Sequence, residues 1–165
     1  MERHMDEIKE KAHYIAITGI VRRTDAKYLL CKRSPKEKIF PNKWCVPGGK
    51  VQQSDFISQP KDTQDHWFDI FEKVLQREIF EETQLKIKNP GYVSNLALIR
   101  PNGFSTIIVS MYAECDAGQV KLNESELTEY AWVNVKEAKQ YDLIENIYEQ
   151  ILKVEEKFSK NIINP

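Results

Sequence analysis

The feature that most constrains how this chain folds is a cluster of carboxylates in the segment R-E-I-F-E-E-T-Q-L, residues 77–85. Residues three and four positions apart are neighbours on a helix, so Glu78, Glu81 and Glu82 share one face if this segment is helical. The preceding turns of that face are apolar and contain Phe71, Val74 and Leu75. The carboxylates therefore extend the stripe that is expected to face a β-sheet, and not the opposite, solvated face.

Carboxylates held together in this way repel one another unless a positive charge lies between them. Arg77 supplies one charge, but its guanidinium is not expected to reach all three glutamates. A divalent cation is an efficient alternative, and carboxylate oxygens favour Mg²⁺ or Mn²⁺ over softer metals. Such a cation neutralises substrate phosphates and lowers the pKa of a bound water. The cluster thus predicts metal-assisted hydrolysis at phosphorus.

Composition narrows the class of protein. A length of 165 residues with 41% apolar side chains predicts one globular domain with a sizeable core. The 24 basic and 25 acidic residues leave a net charge of -1, which argues against a nucleic-acid partner. A small anionic ligand remains compatible with this balance, because local charge can differ from the total.

Three sequence features indicate the cellular compartment of the protein. The first eleven residues, M-E-R-H-M-D-E-I-K-E-K, are too charged for a signal peptide. The longest apolar run, near residues 107–113, is far too short to span a membrane. Cys31, Cys45 and Cys115 lack the spacing of a disulfide framework or a zinc site, which predicts buried free thiols. We therefore expect a cytoplasmic protein with no membrane partner.

Strands alternate with two substantial helices along the chain. The helices are predicted at residues 67–84 and from about residue 142, and residues 32–43 and 52–66 are predicted as loops. Strands are predicted at residues 14–21, 28–31, 44–46, 93–100, 105–114 and 130–135, with Pro47-Gly48-Gly49 ending the third. This order predicts an α/β domain in which helices cover a mixed sheet.

The motifs resemble those of the Nudix hydrolase family, whose box reads G-x5-E-x7-R-E-U-x-E-E-x-G-U, with U aliphatic. Residues 77–82 match R-E-U-x-E-E, and Leu85 matches the final aliphatic position. Residues 44–51, W-C-V-P-G-G-K-V, are similar to the family's lead-in, and residues 126–133 resemble its acidic segment before a W-V strand. The resemblance implies the Nudix fold, an α/β/α sandwich with a central mixed β-sheet, as a single domain over residues 1–165.

The resemblance also implies roles for individual residues. Arg77 is expected to orient the carboxylates through its planar fork of donors. Glu78 is either a further metal ligand or the catalytic base. The implied ligands of Mg²⁺, or of Mn²⁺, are the backbone carbonyl of Gly48 and the side chains of Glu78, Glu81 and Glu82.

Three further positions are candidates near the substrate. Glu126, six residues before Trp132, is our candidate for the general base. Arg33 and Lys50 belong to a group of basic residues that flank the glycine pair in sequence. We expect one or two of that group to contact substrate phosphates.

The chain departs from the family pattern at three places. Asp55 replaces the first glutamate of the box, and 21 residues separate it from Arg77 where the pattern has 7. The resulting insertion, at about residues 56–69, is either a flap that contacts substrate or a packed surface loop. Gln84 replaces the late glycine. It either strains a left-handed helix end, by roughly 1–2 kcal/mol, or lets the helix continue through Lys86.

These observations favour a hydrolase that cleaves a diphosphate linkage in a nucleoside triphosphate or a nucleoside diphosphate derivative. A triphosphatase and an ADP-ribose or nucleotide-sugar pyrophosphatase both remain open, and the K-R-S-P loop slightly favours small leaving groups. The departures from the box suggest a non-catalytic nucleotide-binding or sensor module as the alternative. An exposed edge strand or the final helix could support a homodimer.

Overall fold

A computed structural model describes residues 10–162, which form a mixed seven-stranded sheet with helices against it. Residues 1–9 lie outside the described part, and they include most of the charged segment that is unlike a signal peptide. The strands are β1 (Tyr14–Arg22), β2 (Tyr28–Arg33), β3 (Trp44–Cys45), β4 (Gly48–Lys50), β5 (Lys86–Ile99), β6 (Ser105–Ala117) and β7 (Leu127–Val133). The helices are α1 (Ile70–Thr83), α2 (Val135–Ala138) and α3 (Ile147–Ile162), and a 3-10 turn covers Gln53–Asp55.

The main sheet has the order β3-β2-β1-β6-β5, while β4 pairs with β1 and β7 pairs with β2. Strands β1 and β6 are parallel, and the other pairs are antiparallel. Gly19 of β1 lies against Leu75 and Ile79 of α1, whereas the Arg22 guanidinium lies 4.4 Å from the Phe158 ring centroid of α3. Positions three apart on a strand face opposite sides, so the two long helices cover opposite faces of the sheet. The predicted α/β/α sandwich is confirmed.

The core fixes α1 close to β1 and β4. Ile17 on β1 and Leu75 and Ile79 on α1 are fully buried. A Cβ atom at Gly19 would come within 2.8 Å of the Leu75 and Ile79 side chains, so glycine permits this close approach. The packing holds the last turns of α1, with their carboxylates, directly over β4.

Several predicted boundaries are wrong for identifiable reasons. Residues 48–50 form a strand where a turn was expected, because their backbone pairs with residues 16–18 of β1. Strand β5 begins at Lys86, before the predicted start at residue 93, and runs through Asn89-Pro90-Gly91. The register with β6 shifts between Lys88 and Gly91, so a bulge absorbs the proline. The final helix begins at Ile147, later than predicted.

Gln84 adopts the left-handed conformation that the box's glycine would occupy, with φ 60° and ψ 13°. Helix α1 therefore ends at Thr83 and does not continue through Lys86. The backbone N–H of Gln84 donates to the Phe80 carbonyl at 2.9 Å, and its side-chain Nε2 donates to the same oxygen at 3.0 Å. These bonds offset part of the roughly 1–2 kcal/mol cost of left-handed backbone in a non-glycine residue.

Two minor expectations concern cysteines and membranes. Cys31 and Cys45 are buried free thiols as predicted, whereas Cys115 is only half-buried. Within residues 10–162, every helix is too short or too polar to span a lipid bilayer.

Candidate active site

The site is built where α1 crosses β4. Glu78 and Glu82 lie one turn apart on α1 and are only 8% and 6% exposed. The backbone N–H of Gly48 donates to Glu82 Oε2 at 2.9 Å. A Cβ atom on Gly49 would overlap the Glu78 carboxylate, and one on Gly48 would overlap the Ile17 carbonyl oxygen. The glycine pair is therefore required because two carboxylates and a neighbouring strand approach this backbone directly.

Glu81 does not share the setting of the other two glutamates. Its side chain is 55% exposed. Successive helical residues are rotated by about 100°, which places Glu81 on the flank of α1 when Glu82 faces β4. Phe71, predicted on the buried stripe, is also 38% exposed. The predicted shared face thus divides into a buried pair, Glu78 and Glu82, and an exposed Glu81.

Arg77 links three carboxylates. Its Nε donates to Asp55 Oδ1 at 2.6 Å, while Nη2 lies 2.9 Å from Glu78 Oε1 and Nη1 donates to Glu81 Oε2 at 2.9 Å. The Asp55 side chain is only 5% exposed, so the residue that replaces the first glutamate of the box is itself buried against Arg77. Of the three clustered glutamates Arg77 contacts Glu78 and Glu81, while Glu82 bonds to Gly48, consistent with the limited reach expected of the guanidinium.

Burial dominates the electrostatics of the pair. Burial, together with the smaller effects of the charges on Glu126 and Glu78, raises the pKa of Glu82 to about 8, although the bond from the Gly48 N–H opposes the shift. Burial likewise raises the pKa of Glu78, and Arg77 opposes that shift. Removing a carboxylate from water disfavours its charged form. The charge of Arg33 opposes the shift of Glu82 but does not offset the penalty of burial.

The segment before β7 brings Glu126 to this pair. Backbone N–H groups of Lys121 and Asn123 donate to the carbonyls of Thr83 and Glu82, each at 2.9 Å. The Asn123 side chain then donates to Glu126 Oε1 at 3.0 Å. The sequence motifs indicated Glu126 but not Asn123, which fixes the Glu126 carboxylate. The N-x-S-E pattern was an available signal, since an asparagine commonly bonds the backbone two residues later, as Asn123 does with Ser125.

The two predicted phosphate contacts have different settings. Arg33 lies close enough to Glu82 to lower its pKa, but it pairs with Glu37 at 2.6 Å and donates to the Ile39 carbonyl at 3.0 Å. Lys50 is exposed, and its Nζ lies 5.4 Å from the Tyr14 ring centroid. Because Gly49 faces α1, alternation along β4 directs the Lys50 side chain to the opposite face of the sheet.

The insertion is folded against the flank of α1. The Trp67 indole donates to the Gln59 carbonyl at 2.9 Å, and its ring lies 5.4 Å from that of Phe56. Asp62 accepts from the Phe68 backbone N–H at 2.9 Å and forms an ion pair with Lys73 of α1 at 3.7 Å. The insertion thus has internal packing of its own and an attachment to the helix that carries Arg77.

Comparison with known proteins places this geometry in a family. A NUDIX domain matches residues 12–154 of the chain. The chain belongs to the Nudix family. The nucleoside triphosphatase NudI of Klebsiella pneumoniae is a Nudix relative with 30% identity over 126 residues, which cover 70% of this chain and 79% of that protein.

Two further comparisons extend the relationship. The NAD-capped RNA hydrolase NudC of Actinobacillus succinogenes is 39% identical over 62 residues, which are 38% of this chain and 22% of that protein. The NUDIX domain of Shewanella oneidensis NrtR, solved in complex with ADP ribose, superposes with a TM-score of 0.68. The superposition covers 95% of this chain and 97% of that domain at 14% identity, which supports the Nudix fold.

Nudix proteins generally use divalent metal cations, and the residues at this site fit one. The donors that meet here, Glu78, Glu82, Glu126 and the Gly48 backbone, offer hard oxygen atoms. A cation beside Glu82 would lower its raised pKa, because the positive charge favours the ionised carboxylate. Across residues 10–162, no three acidic, histidine or cysteine side chains are grouped closely enough to hold a metal ion.

Proposed function

We propose that this Nudix protein is a Mg²⁺-dependent hydrolase that cleaves a diphosphate linkage in a nucleoside triphosphate or nucleoside diphosphate derivative. The observation that carries the proposal is the desolvated pair Glu78 and Glu82, packed against the glycine strand with Glu126 nearby. A buried carboxylate pair is costly to maintain unless a cation or a reaction uses it. Family membership and the nucleotide-related names of the relatives support the same reaction class.

The ion is held in this proposal by the Gly48 carbonyl together with Glu78, Glu81 and Glu82, and Mn²⁺ is the alternative to Mg²⁺. Glu81 joins the set only by leaving Arg77, because its carboxylate now lies on the flank of α1. When bound, the cation neutralises phosphate charge and lowers the pKa of a bound water. Arg77 keeps Glu78 in place through the contact at 2.9 Å.

Glu126 is assigned as the general base. Its carboxylate takes the proton of a water whose oxygen attacks phosphorus, while the bridging P–O bond breaks and the leaving phosphate departs. The bond from Asn123 fixes the orientation of the carboxylate, and its exposed position gives it access to water. Glu78 remains the second candidate base. Arg33 is the proposed contact for substrate phosphates, whereas the Lys50 side chain lies on the opposite face of the sheet from the cation site.

The features that suggested a non-catalytic module leave the proposed machinery in place. Gln84 affects only the end of α1, where its own bonds replace the missing glycine. Asp55 retains a contact with Arg77 at 2.6 Å. The insertion lies on the flank of α1, so Glu82 keeps its bond to Gly48. The three departures are therefore compatible with a working hydrolase.

The proposal is tested by measuring phosphate and pyrophosphate release from nucleoside triphosphates, ADP-ribose, nucleotide sugars and dinucleoside polyphosphates. Reactions contain Mg²⁺, Mn²⁺ or a chelator. We expect turnover of at least one class with either metal and none with chelator. Nucleotide binding without any turnover would support the sensor alternative, and turnover that persists in chelator would contradict the metal assignment.

Shortening the insertion distinguishes its two interpretations. The Phe56 and Trp67 rings lie 5.4 Å apart, so a short linker can replace residues 57–66 without separating them. We expect the deletion to change the ratio of kcat/KM between substrates more than it changes Tm, because these residues border α1 and contribute little to the core. Equal losses on all substrates, together with marked destabilisation, would favour a purely packed loop.

A further inference from the structure

A cavity of about 740 Å³ lies between the insertion and the exposed flank of α1. One wall consists of residues from the segment that leads into and through the insertion, among them Gln52, Ser54 and Gln59. The other wall belongs to α1 and comprises Lys73, Arg77 and Glu81. The volume is within the usual range of about 300–1,000 Å³ for small-molecule sites. The cavity thus ends at the two α1 residues that border the proposed cation site.

The wall formed by the insertion is held in place. The Trp67 indole bonds the Gln59 carbonyl, which fixes the backbone that carries the Gln59 side chain. The Asp62–Lys73 ion pair ties the same loop to α1. A ligand would therefore meet an ordered wall, and would not have to order a free loop when it binds.

The charges that line the cavity cancel. Lys73 is paired with Asp62, and Arg77 is paired with Asp55, Glu78 and Glu81. Both cations are thus already neutralised by protein carboxylates. An additional phosphate would find no unpaired cation among the lining residues, so a neutral group is favoured over a charged one.

The polar groups of the lining indicate the chemistry of that neutral group. Gln52, Gln59 and Ser54 supply amides and a hydroxyl, which both donate and accept hydrogen bonds. None of the eight described lining residues is aromatic, so the cavity offers no platform on which a nucleobase could stack. A hydroxyl-rich sugar satisfies such a wall better than a base or a phosphate does.

We propose that the insertion forms a subsite for the uncharged, hydroxyl-rich half of a nucleoside diphosphate derivative. This inference rests on the proposed function, because the cation site fixes the diphosphate next to Glu81. It selects nucleotide sugars and ADP-ribose-like compounds over nucleoside triphosphates. The K-R-S-P loop slightly favoured small leaving groups. A single phosphate would leave most of this cavity filled with water, so the cavity favours a larger leaving group instead.

The test compares Gln59→Trp, which fills the cavity, with Gln64→Trp, which makes the same change elsewhere in the insertion. The substrates are ADP-ribose and UDP-glucose, each paired with its triphosphate, ATP or UTP. We expect the ratio of kcat/KM, sugar derivative over triphosphate, to fall at least about tenfold in Gln59→Trp and to stay constant in Gln64→Trp. Gln59→Ala, which adds no bulk, should reduce the ratio in the same direction by a smaller factor.

A binding measurement tests the proposed subsite independently of the proposed hydrolysis. In chelator, calorimetry should show that ADP-ribose binds more tightly than ADP, and that Gln59→Trp removes the difference. If no substrate is hydrolysed but this Gln59-dependent difference is found, the proposed function fails and the subsite stands. If hydrolysis depends on Glu82 but the Gln59 and Gln64 variants behave alike in both measurements, the subsite is overturned and the proposed function stands. Absence of both turnover and binding would overturn the subsite.

Discussion

Glu82→Gln is expected to reduce kcat/KM by about 100-fold or more while the protein stays folded, because it removes a proposed ligand of the cation. Glutamine has nearly the same shape as glutamate and can still accept the bond from the Gly48 backbone N–H. Burial raises the pKa of Glu82 to about 8, so its ionised form contributes no stability near neutral pH. The amide carries no charge to desolvate, and Tm in chelator should therefore stay constant or rise.

The matched control is Glu72→Gln, the same change earlier on α1. Glu72 lies in the first turn of the helix, away from β4, and should tolerate the amide without loss of turnover. Activity is measured as phosphate release across a Mg²⁺ titration, because a lost ligand raises the concentration of metal that is required. Wild-type rates in Glu82→Gln at all Mg²⁺ concentrations would show that Glu82 does not hold the metal.

Replacing Arg77 by methionine is expected to reduce both activity and stability. The change keeps an unbranched side chain but leaves the Asp55 and Glu78 carboxylates, both largely buried, without their cation. An unpaired buried charge is destabilising, and since Arg77 is partly exposed we expect about 2–3 kcal/mol of unfolding free energy to be lost. For a chain of this size that corresponds to a decrease in Tm of roughly 5–10 °C. Turnover should fall about 10–100-fold, because Glu78 loses the contact that orients it.

Arg77→Lys distinguishes the charge of Arg77 from the geometry of its guanidinium, and Arg23→Met is the matched control. Arg77→Lys retains the charge but cannot bridge three carboxylates with a fork of donors, so we expect stability between those of wild type and Arg77→Met, with activity still reduced. Arg23→Met breaks another arginine–aspartate pair, with Asp25, which lies on the surface. It should lower Tm less and leave turnover unchanged. Full activity in Arg77→Lys would show that the geometry of the fork is not required.

The sequence was informative where local geometry decides the outcome. The helical repeat placed Glu78 and Glu82 on the stripe that faces the sheet, and both are buried. It failed for Glu81, because a spacing of three leaves a residue on the edge of a stripe, and only the packed sheet defines where that edge lies. It also failed for residues 86–92, because the partner strand β6 accommodates a bulge that local signals cannot reveal.

The sequence by itself determined the order of the longer strands and helices and the helix that carries the carboxylates, since periodicity is a property of short segments. Tertiary structure alone decided which carboxylates lose water, that Glu126 approaches Glu82, and that the insertion encloses a cavity with Arg77. Desolvation and the approach of distant residues depend on how the whole chain packs. The chemistry proposed for this Nudix protein depends on that packing, because the same glutamates on an exposed helix would be ordinary solvated side chains.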